Sequence, residues 1–346
     1  PRETGRALRV QAACGGLPQG GFTSPEEAEK GSPPDQRFGG PACAFLPKAN
    51  EGSMEMTEIR LSRPEEILAQ KALWKAAFGD EDRYIDWFYD CCGWEHMLLL
   101  LEDGRLASML ALLPHGLTLP GGGEARGYYV YALATDPGAR SRGYGRQLLR
   151  AADEHAARLG ADCVTVVPAE ASLFKFFGTV GFAPAFTHRE VELLRGEAAP
   201  AAPGDRAEPV APADYNALRE RLLSGVPSVT YGETLVRYQQ GMGERSGGGL
   251  YRVWAGGAEG CAAVEYTDAD SVLFKELLIS PEQMPRALAV FAETLPGCRC
   301  FVRTPACWAG MKGSYLQPFG MLKWLNADKA GLWREGTHGY MGLGFD

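Results

Sequence analysis

The sequence lacks the features that mark several classes of protein. None of its nine cysteines forms a C-x-x-C pair and its five histidines are scattered, so no metal-ligand spacing is present. No apolar run approaches the ~20 residues that a membrane-spanning helix needs, and the first residues lack the regions of a signal peptide. We therefore expect no metal, no membrane association, reduced cysteines and a cytoplasmic location.

An excess of basic residues is also missing. The chain has 35 lysines and arginines against 43 acidic residues, a formal net charge of −8. Nucleic acid binding needs a basic face to neutralise phosphates, so nucleic acid is not an expected partner. An acidic protein mildly attracts cations such as amines. With 346 residues, 45% of them apolar, the chain can form two or three units with buried cores.

Composition divides the chain into four parts. Residues 1–53 are dense in glycine and proline without a persistent period, which indicates a disordered or non-native N-terminal extension. Residues 197–213 are rich in alanine and proline and are expected to be a linker. We therefore expect one domain over 54–196 and a second over 214–346.

The first domain has a regular pattern of elements. Its periodicities predict the order β-α-α-β-β-β-α-β-α-β from Thr57 onward. Ser62, with Glu65 three residues later, predicts a capping box, and Asp103-Gly104 predicts a tight hairpin turn. From Phe182 onward we expect a final hairpin.

The turn after the strand that ends at Thr135 carries the strongest chemical signal. It reads Arg140-Ser-Arg-Gly-Tyr-Gly-Arg146 and leads into a predicted helix. The first N–H groups of a helix have no internal partner and lie at the positive end of its dipole, so a diphosphate can accept several hydrogen bonds there. Glycines let the backbone approach the phosphates. The alternative is a tight turn with solvated arginines, but the three arginines favour an anion site.

These residues resemble the acetyl-CoA motif of the GNAT superfamily. Arg140, Gly143 and Gly145 match its R-x-x-G-x-G pattern after a strand ending in L-x-T-x-P, and Val167 to Phe182 is similar to the family's second motif, which closes with G-F. The resemblance covers about 57–194. It implies an α/β (α+β) fold in which a central mixed, mostly antiparallel sheet is flanked by helices.

The resemblance also implies a reaction. An N-acetyltransferase of this kind transfers acetyl from acetyl-CoA, as co-substrate, to the amine of a small molecule or peptide by direct attack, and a homodimer is compatible with it. The backbone of Leu133, Ala134 and Thr135 would pair with the pantetheine arm. The residues implied to bind the pyrophosphate are Arg140, Ser141, Arg142, Gly143, Tyr144, Gly145 and Arg146.

Two departures affect the catalytic residues. Many members have a proton-donating tyrosine where this chain has Phe177, and some have a glutamate base where it has Tyr129. We therefore consider Tyr129, Tyr131 and Glu170 as catalytic candidates, with core packing of the tyrosines and surface exposure of Glu170 as alternatives. Residues 345–346 are a further candidate base, because a terminal carboxylate reaches the active site in some multi-lobe relatives.

The second domain repeats part of this order. A predicted strand, Val272 to Ile279, is followed by a helix with a predicted capping box at Ser280, but no R-x-x-G-x-G equivalent occurs. We expect a degenerate GNAT-like lobe that does not bind CoA; an unrelated α+β domain serving as a lid is the alternative. For the whole chain, an acetyl-CoA-binding sensor without activity and a tandem-lobe transferase with another acyl donor remain alternatives.

Overall fold

The computed structural model describes residues 56–194, 200–295, 297 and 299–345. The predicted N-terminal extension, residues 1–53, lies outside the described residues, as do 195–199 and Asp346. Among the helices it describes, none combines the length and apolar character required to cross a bilayer.

The first half contains the predicted elements in the predicted order. They are β1 Thr57–Leu61, α1 Ile67–Phe78, α2 Asp82–Cys92, β2 Met97–Glu102, β3 Arg105–Thr118, β4 Glu124–Thr135, α3 Tyr144–Arg158, β5 Cys163–Val166, α4 Ala171–Gly178 and β6 Ala183–Leu194. Asp103 and Gly104 both have positive φ, 48° and 76°, as the predicted hairpin turn requires.

Two predicted helix caps are wrong. At the predicted Ser62 cap, the helical turn begins one residue later, and Arg63 is the N-cap residue. The N–H of Arg63 donates to the carboxylate of Glu66 at 2.8 Å. Ser62 is buried, and its hydroxyl accepts a hydrogen bond from the amide of Gln70 at 2.5 Å, so it serves the core instead of the helix end. Ser280 precedes a short 3-10 turn but makes no capping hydrogen bond through its side chain.

The second half adds seven strands and four helices within the described residues. They are β7 Arg206–Pro209, α5 Pro212–Leu222, β8 Val229–Tyr231, α6 Glu233–Ser246, β9 Gly249–Ala255, β10 Ala258–Tyr266, β11 Ser271–Leu278, α7 Met284–Thr294, β12 Arg299–Pro305, β13 Tyr315–Trp324 and α8 Ala327–Ala330. Strand β7 and the start of α5 fall inside 197–213, which was expected to be a linker, and β7 pairs with β9.

The described strands form one sheet of 13. Their order is β1-β2-β3-β4-β5-β13-β6-β12-β11-β10-β9-β7, and β8 pairs with β3. Neighbouring strands are antiparallel except for β4 with β5 and β11 with β12, which are parallel. The predicted fold class, a mixed and mostly antiparallel sheet flanked by helices, is confirmed.

At the centre of this sheet, strands of the two halves of the chain alternate in the order β5-β13-β6-β12. The hairpin predicted after Phe182 is wrong, because β6 is a single strand. Strand β13 lies between β5 and β6, with Met321 opposite Val166 and Leu322 opposite Ala183. Strand β6 in turn pairs with β12. Residues 182–194 contain no glycine or asparagine that would favour a tight turn, so the missing partner is supplied by a distant strand.

The second half repeats the order of the first. In each half a strand, a helix and a parallel strand follow one another, β4-α3-β5 and β11-α7-β12. The first strand of each unit also has a register shift against its hairpin partner, between Met109 and Ala111 in one half and between Ala263 and Val264 in the other. This repeat supports a second GNAT-like lobe, and the division at 197–213 stays a prediction.

The 338–345 segment ties the two halves together. The N–H of Thr187 in β6 donates to Gly339 at 2.9 Å, and the N–H of Val229 in β8 donates to Tyr340 at 2.9 Å. The hydroxyl of Tyr231 donates to the carbonyl of Met341 at 2.7 Å. The segment therefore runs through the core between elements from both halves.

A buried ion pair supports this segment. The guanidinium Nε of Arg219 is 2.8 Å from Glu276 Oε1, and both side chains are fully buried. The hydroxyl of Tyr215 donates to the same carboxylate at 2.6 Å. Gly342 lies against the pair, since a Cβ there would be 2.1 Å from Glu276 Oε2. The 338–345 segment therefore packs against the Arg219–Glu276 ion pair.

Arg219→Met is expected to lower the free energy of unfolding by about 3–5 kcal/mol, because it leaves the Glu276 carboxylate buried without its cation. Denaturant unfolding measures the loss. The matched control is Arg219→Met combined with Glu276→Leu, which removes both charges and should lose less than the single variant. An equal or larger loss in the double variant would show that the charge pairing is not the cause.

Candidate functional site

The turn between β4 and α3 has a defined conformation. Asp136 starts it, and its carboxylate accepts a hydrogen bond from the N–H of Gly138 at 2.8 Å. Ser141 and Gly143 then adopt left-handed backbone angles, with φ of 66° and 81°. Left-handed angles next to ordinary ones make successive N–H groups converge, which is the geometry of an anion-binding nest.

The helix start leaves backbone donors at the end of this turn. The first hydrogen bonds of α3 run from the N–H groups of Arg146 and Gln147 to the carbonyl of Gly143, both at 3.1 Å. The N–H groups of Tyr144 and Gly145 lie ahead of these bonds, where helix donors lack internal acceptors. Together with the helix dipole they make this end suitable for a phosphate.

Space above the glycines is open. A Cβ at Gly143 would meet no atom within 4 Å, and one at Gly145 would find only Thr135 Oγ1, at 3.8 Å. Packing within the protein therefore does not require glycine at 145. A ligand that lies on the backbone gives a reason for both glycines.

The three arginines of the turn differ in their contacts. The Nε of Arg140 is buried and has no partner among the described residues. A buried donor without a partner costs free energy, which a bound anion would recover. Arg142 donates to Glu102 at 2.5 Å, and the hydroxyl of Tyr144 donates to the same carboxylate. Arg146 lies over the ring of Phe176, 5.9 Å from its centroid.

Strand β4 separates from β5 beside this turn. The two strands pair from Gly127 to Val130 on β4, where Val130 lies opposite Val166, the last residue of β5. Just beyond, the register between β3 and β4 shifts, and Ala132 has a positive φ of 51°. Such a bulge bends a strand. The remaining residues of β4 therefore form one wall of a cleft.

Along this part of β4, the backbone N–H and C=O groups point alternately toward β3 and toward the cleft. The carbonyl of Ala134 accepts the hydroxyl of Ser108 at 2.8 Å, and the N–H of Asp136 donates to Ala107 at 2.9 Å. Both groups therefore point toward β3. Since backbone groups alternate in direction along a strand, those of Leu133 and Thr135 point to the cleft. Of the three residues implied to pair with pantetheine, Leu133 and Thr135 direct their backbone groups away from β3, and Ala134 directs its carbonyl toward β3.

Two tyrosines of β4, Tyr129 and Tyr131, lie on one face of the strand and are buried in the core. Tyr129 donates its hydroxyl to the carbonyl of Phe345 at 3.0 Å. The hydroxyls of Tyr131 and Tyr238 share a hydrogen bond at 3.2 Å. The ring of Phe345 packs on Tyr129, Tyr131 and Tyr238 with centroid distances of 5.8, 5.5 and 4.9 Å. The last described residue of the chain thus reaches the catalytic candidates, together with a helix of the second half.

Burial fixes the protonation of this tyrosine pair. It raises the pKa of both Tyr131 and Tyr238 well above the ordinary value of a phenol. Both groups are therefore neutral at physiological pH and act as hydrogen-bond donors, not as tyrosinate bases.

The other catalytic candidate is placed differently. Glu170 is exposed just before α4, and its carboxylate accepts a hydrogen bond from the hydroxyl of Ser172 at 2.7 Å. The described contacts do not bring it to the tyrosines. Phe177 is buried between the rings of Phe176 and Phe182, so it offers the cleft no proton donor.

A buried histidine near the tyrosines was missed by sequence reasoning. His115 bonds through Nε2 to the hydroxyl of Thr165 at 2.9 Å, and its ring occupies the space that a side chain at Gly127 would fill. Burial lowers the pKa of His115 to about 4, so the ring is neutral. Thr165 lies opposite Tyr129 in the sheet. Only the paired strands reveal this contact, since no local pattern marks it.

No group of three or more histidine, cysteine, aspartate or glutamate side chains suited to a metal ion occurs in the described ranges.

Known proteins resemble the chain in sequence over one part and in structure over most of its length. The family model for the acetyltransferase (GNAT) domain matches residues 58–185. No curated protein matches the chain. Among solved structures, a GCN5-related N-acetyltransferase from Anabaena variabilis is 13% identical, with a TM-score of 0.67 over 81% of this chain and 75% of that one.

Two further structures have a similar fold. A protein of unknown function from Enterococcus faecalis, a probable N-acyltransferase, is 14% identical, with a TM-score of 0.61 over 80% of this chain and 74% of that one. Eis1 from Mycobacterium abscessus is 15% identical, with a TM-score of 0.57 over 78% and 73% of the two chains. These matches extend beyond the first half, so they share the two-part sheet. The family model thus identifies a GNAT acetyltransferase domain in residues 58–185, and the solved structures share the fold of the larger part of the chain.

Proposed function

We propose that the chain is an N-acetyltransferase that transfers acetyl from acetyl-CoA to a primary amine of a small molecule or peptide. The observation that carries the proposal is the turn from Asp136 to Gly145, whose backbone donors adjoin the cleft between β4 and β5. A ligand with a diphosphate at one end and an extended amide-containing arm at the other fits both features.

The donor would bind in an extended conformation. Its diphosphate accepts hydrogen bonds from the N–H groups of Tyr144 and Gly145 and from Arg140 Nε, which is buried and unpaired in the described structure. Its pantetheine arm adds to β4 along the groups of Leu133 and Thr135. The thioester then lies where β4 and β5 separate, near Tyr131.

Direct attack of a neutral amine on the thioester needs little covalent help from the protein. The amine nitrogen bonds to the carbonyl carbon, the carbon–sulfur bond breaks, and the thiolate of CoA leaves while water accepts the amine proton. A thiolate with a pKa of ~8.5 is a fair leaving group without a dedicated acid. Tyr131, held neutral by burial, is a hydrogen-bond donor suited to the departing sulfur.

The proposal is tested by thiol release from acetyl-CoA in the presence of a panel of primary amines. We expect release with at least one amine, and a decrease in kcat of about 10²-fold or more in Tyr131→Phe, because the variant loses the hydrogen bond to the departing thiolate. Phe88→Leu, a change in the same aromatic cluster that removes no hydroxyl, is the matched control. Binding of acetyl-CoA without release for any amine would contradict a transferase.

A second candidate function is acetyl-CoA binding without turnover. It is favoured by the apolar side chain of Phe177 and by the ring of Phe345, which fills the space beside Tyr129 and Tyr131. The same assay distinguishes the two, because a sensor would bind acetyl-CoA and release no thiol.

A further inference from the structure

A carboxylate lies beside the turn that is proposed to bind the diphosphate. Glu102 is the last residue of β2, and its side chain is 19% exposed. A carboxylate and a diphosphate carry charges of the same sign, so on electrostatic grounds alone Glu102 weakens the binding of acetyl-CoA. Its position next to this turn therefore requires a second, favourable effect.

One oxygen of this carboxylate bonds to the residues on both sides of Gly143. Arg142 Nη1 donates to Glu102 Oε1 at 2.5 Å, and the hydroxyl of Tyr144 donates to the same oxygen. Gly143 lies between them and has a left-handed φ of 81°. Because glycine has more conformational freedom than other residues, anchoring both of its neighbours restricts the turn where it is most flexible.

An open space lies beside these hydrogen bonds. A cavity of about 570 Å³ lies between the β2–β3 hairpin and the start of the turn, with Glu102, Asp103 and Asp136 in its lining. Packing therefore does not hold the hairpin against this part of the turn. The side chain of Arg142 is also 44% exposed, so hydrogen bonds contribute more than packing to its position. The bonds to Glu102 thus connect the turn to the sheet beside the cavity.

The anchored segment includes a donor proposed for the diphosphate. The N–H of Tyr144 lies at the start of α3, and the ring of Tyr144 is buried in a core cluster with Leu148. Ser141, just before Arg142, has a φ of 66°, and such a backbone conformation in a residue other than glycine persists only where its surroundings fix it. A turn that is ordered before the ligand arrives loses less conformational entropy on binding.

We propose that Glu102 is a positioning residue for the acyl donor, because its hydrogen bonds to Arg142 and Tyr144 hold the turn in the conformation that binds the diphosphate. The inference rests on the acetyltransferase function proposed above and adds to its donor site a residue of β2. Glu102 precedes Arg142 by 40 residues in the chain, so the sheet itself determines the shape of the turn.

The sign of the effect distinguishes positioning from repulsion. Glu102→Met removes both the charge and the acceptor oxygen. Positioning predicts that the Kd of acetyl-CoA rises at least about tenfold, the effect of losing a hydrogen bond to a charged group, whereas repulsion alone predicts tighter binding. Glu102→Gln keeps a neutral acceptor at the same place, and its Kd is expected to lie between those of the wild type and Glu102→Met.

Asp103→Asn is the matched control. Asp103 lies in the lining of the same cavity, and its carboxylate accepts a hydrogen bond from the N–H of Met56. The variant removes a negative charge next to Glu102 and leaves the bonds to Arg142 and Tyr144 in place. Its affinity for acetyl-CoA is expected to be that of the wild type.

A donor without the diphosphate separates positioning from a general loss of structure. S-acetylpantetheine has the thioester and the pantetheine arm but no nucleotide, so its Kd should be the same in the wild type and in Glu102→Met. Calorimetric titration measures both donors. The kcat at saturating acetyl-CoA should also be unchanged, because the lost interaction concerns donor binding and not the chemical step.

Four outcomes are distinguishable. Binding of acetyl-CoA by Glu102→Met that equals or exceeds that of the wild type would overturn this inference while the acetyltransferase function stands. An equal loss of affinity for both donors would overturn it as well, since the effect would not depend on the diphosphate. The expected Kd values without thiol release from any amine would overturn the acetyltransferase function alone, and absence of acetyl-CoA binding by the wild type would overturn both.

Discussion

Gly143→Asp is expected to weaken the binding of acetyl-CoA at least about 100-fold. The new carboxylate would lie at the helix start, beside the place proposed for the diphosphate. Two unit charges of the same sign roughly 5 Å apart repel by about 3 kcal/mol at an effective dielectric constant of about 20. Calorimetric titration of acetyl-CoA measures the loss.

The fold of this variant is expected to survive. A Cβ at Gly143 meets open space, and its positive φ of 81° costs about 1–2 kcal/mol in a residue other than glycine. Gly257→Asp is a matched control, because Gly257 has a φ of 82°, equally open space, and a position in the distant β9–β10 turn. Comparable affinity in the two variants would mean that the diphosphate lies elsewhere.

A shortened chain that ends at residue 196 is expected not to fold cooperatively. Strand β13, Tyr315–Trp324, lies between β5 and β6 and pairs with both of them. In a chain that ends at residue 196, β5 keeps only β4 as a partner, and β6 loses both of its partners, β12 and β13. The apolar edges of β5 and β6 would then be exposed. Thermal unfolding followed by near-ultraviolet circular dichroism should show a single transition for residues 54–346 and none for 54–196.

The opposite result would be informative. If residues 54–196 unfold in one sharp transition and bind acetyl-CoA as tightly as the full chain, the first half is an independent domain. The strand exchange would then contribute little to its stability, and the two-domain division expected from composition would describe the molecule better than a shared sheet.

The elements of the fold could be predicted from the sequence, but the pairing of its central strands could not. Periodicity and turn residues are local signals, which is why the Asp103-Gly104 hairpin and the order of the first ten elements are correct. Both partners of β6, the strands β12 and β13, lie more than 100 residues away in the chain. A segment such as 182–194 shows that it is a strand, but nothing in it shows which strand completes it.

The candidate site shows the same difference between features that are local in sequence and contacts between distant segments. The turn around Gly143 could be predicted because its glycines and arginines are adjacent in sequence. The surroundings of Tyr131 could not, since Tyr238, Phe345 and the pair of His115 with Thr165 come from four other elements. Glu170 is near the motif in sequence, yet its side chain is exposed and bonded to Ser172.

The central claim is that the start of α3 holds the diphosphate of acetyl-CoA beside the cleft between β4 and β5. A crystal structure of the complex tests it most directly. We predict diphosphate oxygens within hydrogen-bonding distance of the N–H groups of Tyr144 and Gly145, with the thioester between Leu133 and the end of β5. A complex in which those N–H groups bond only to protein atoms, with the nucleotide bound elsewhere, would contradict the account.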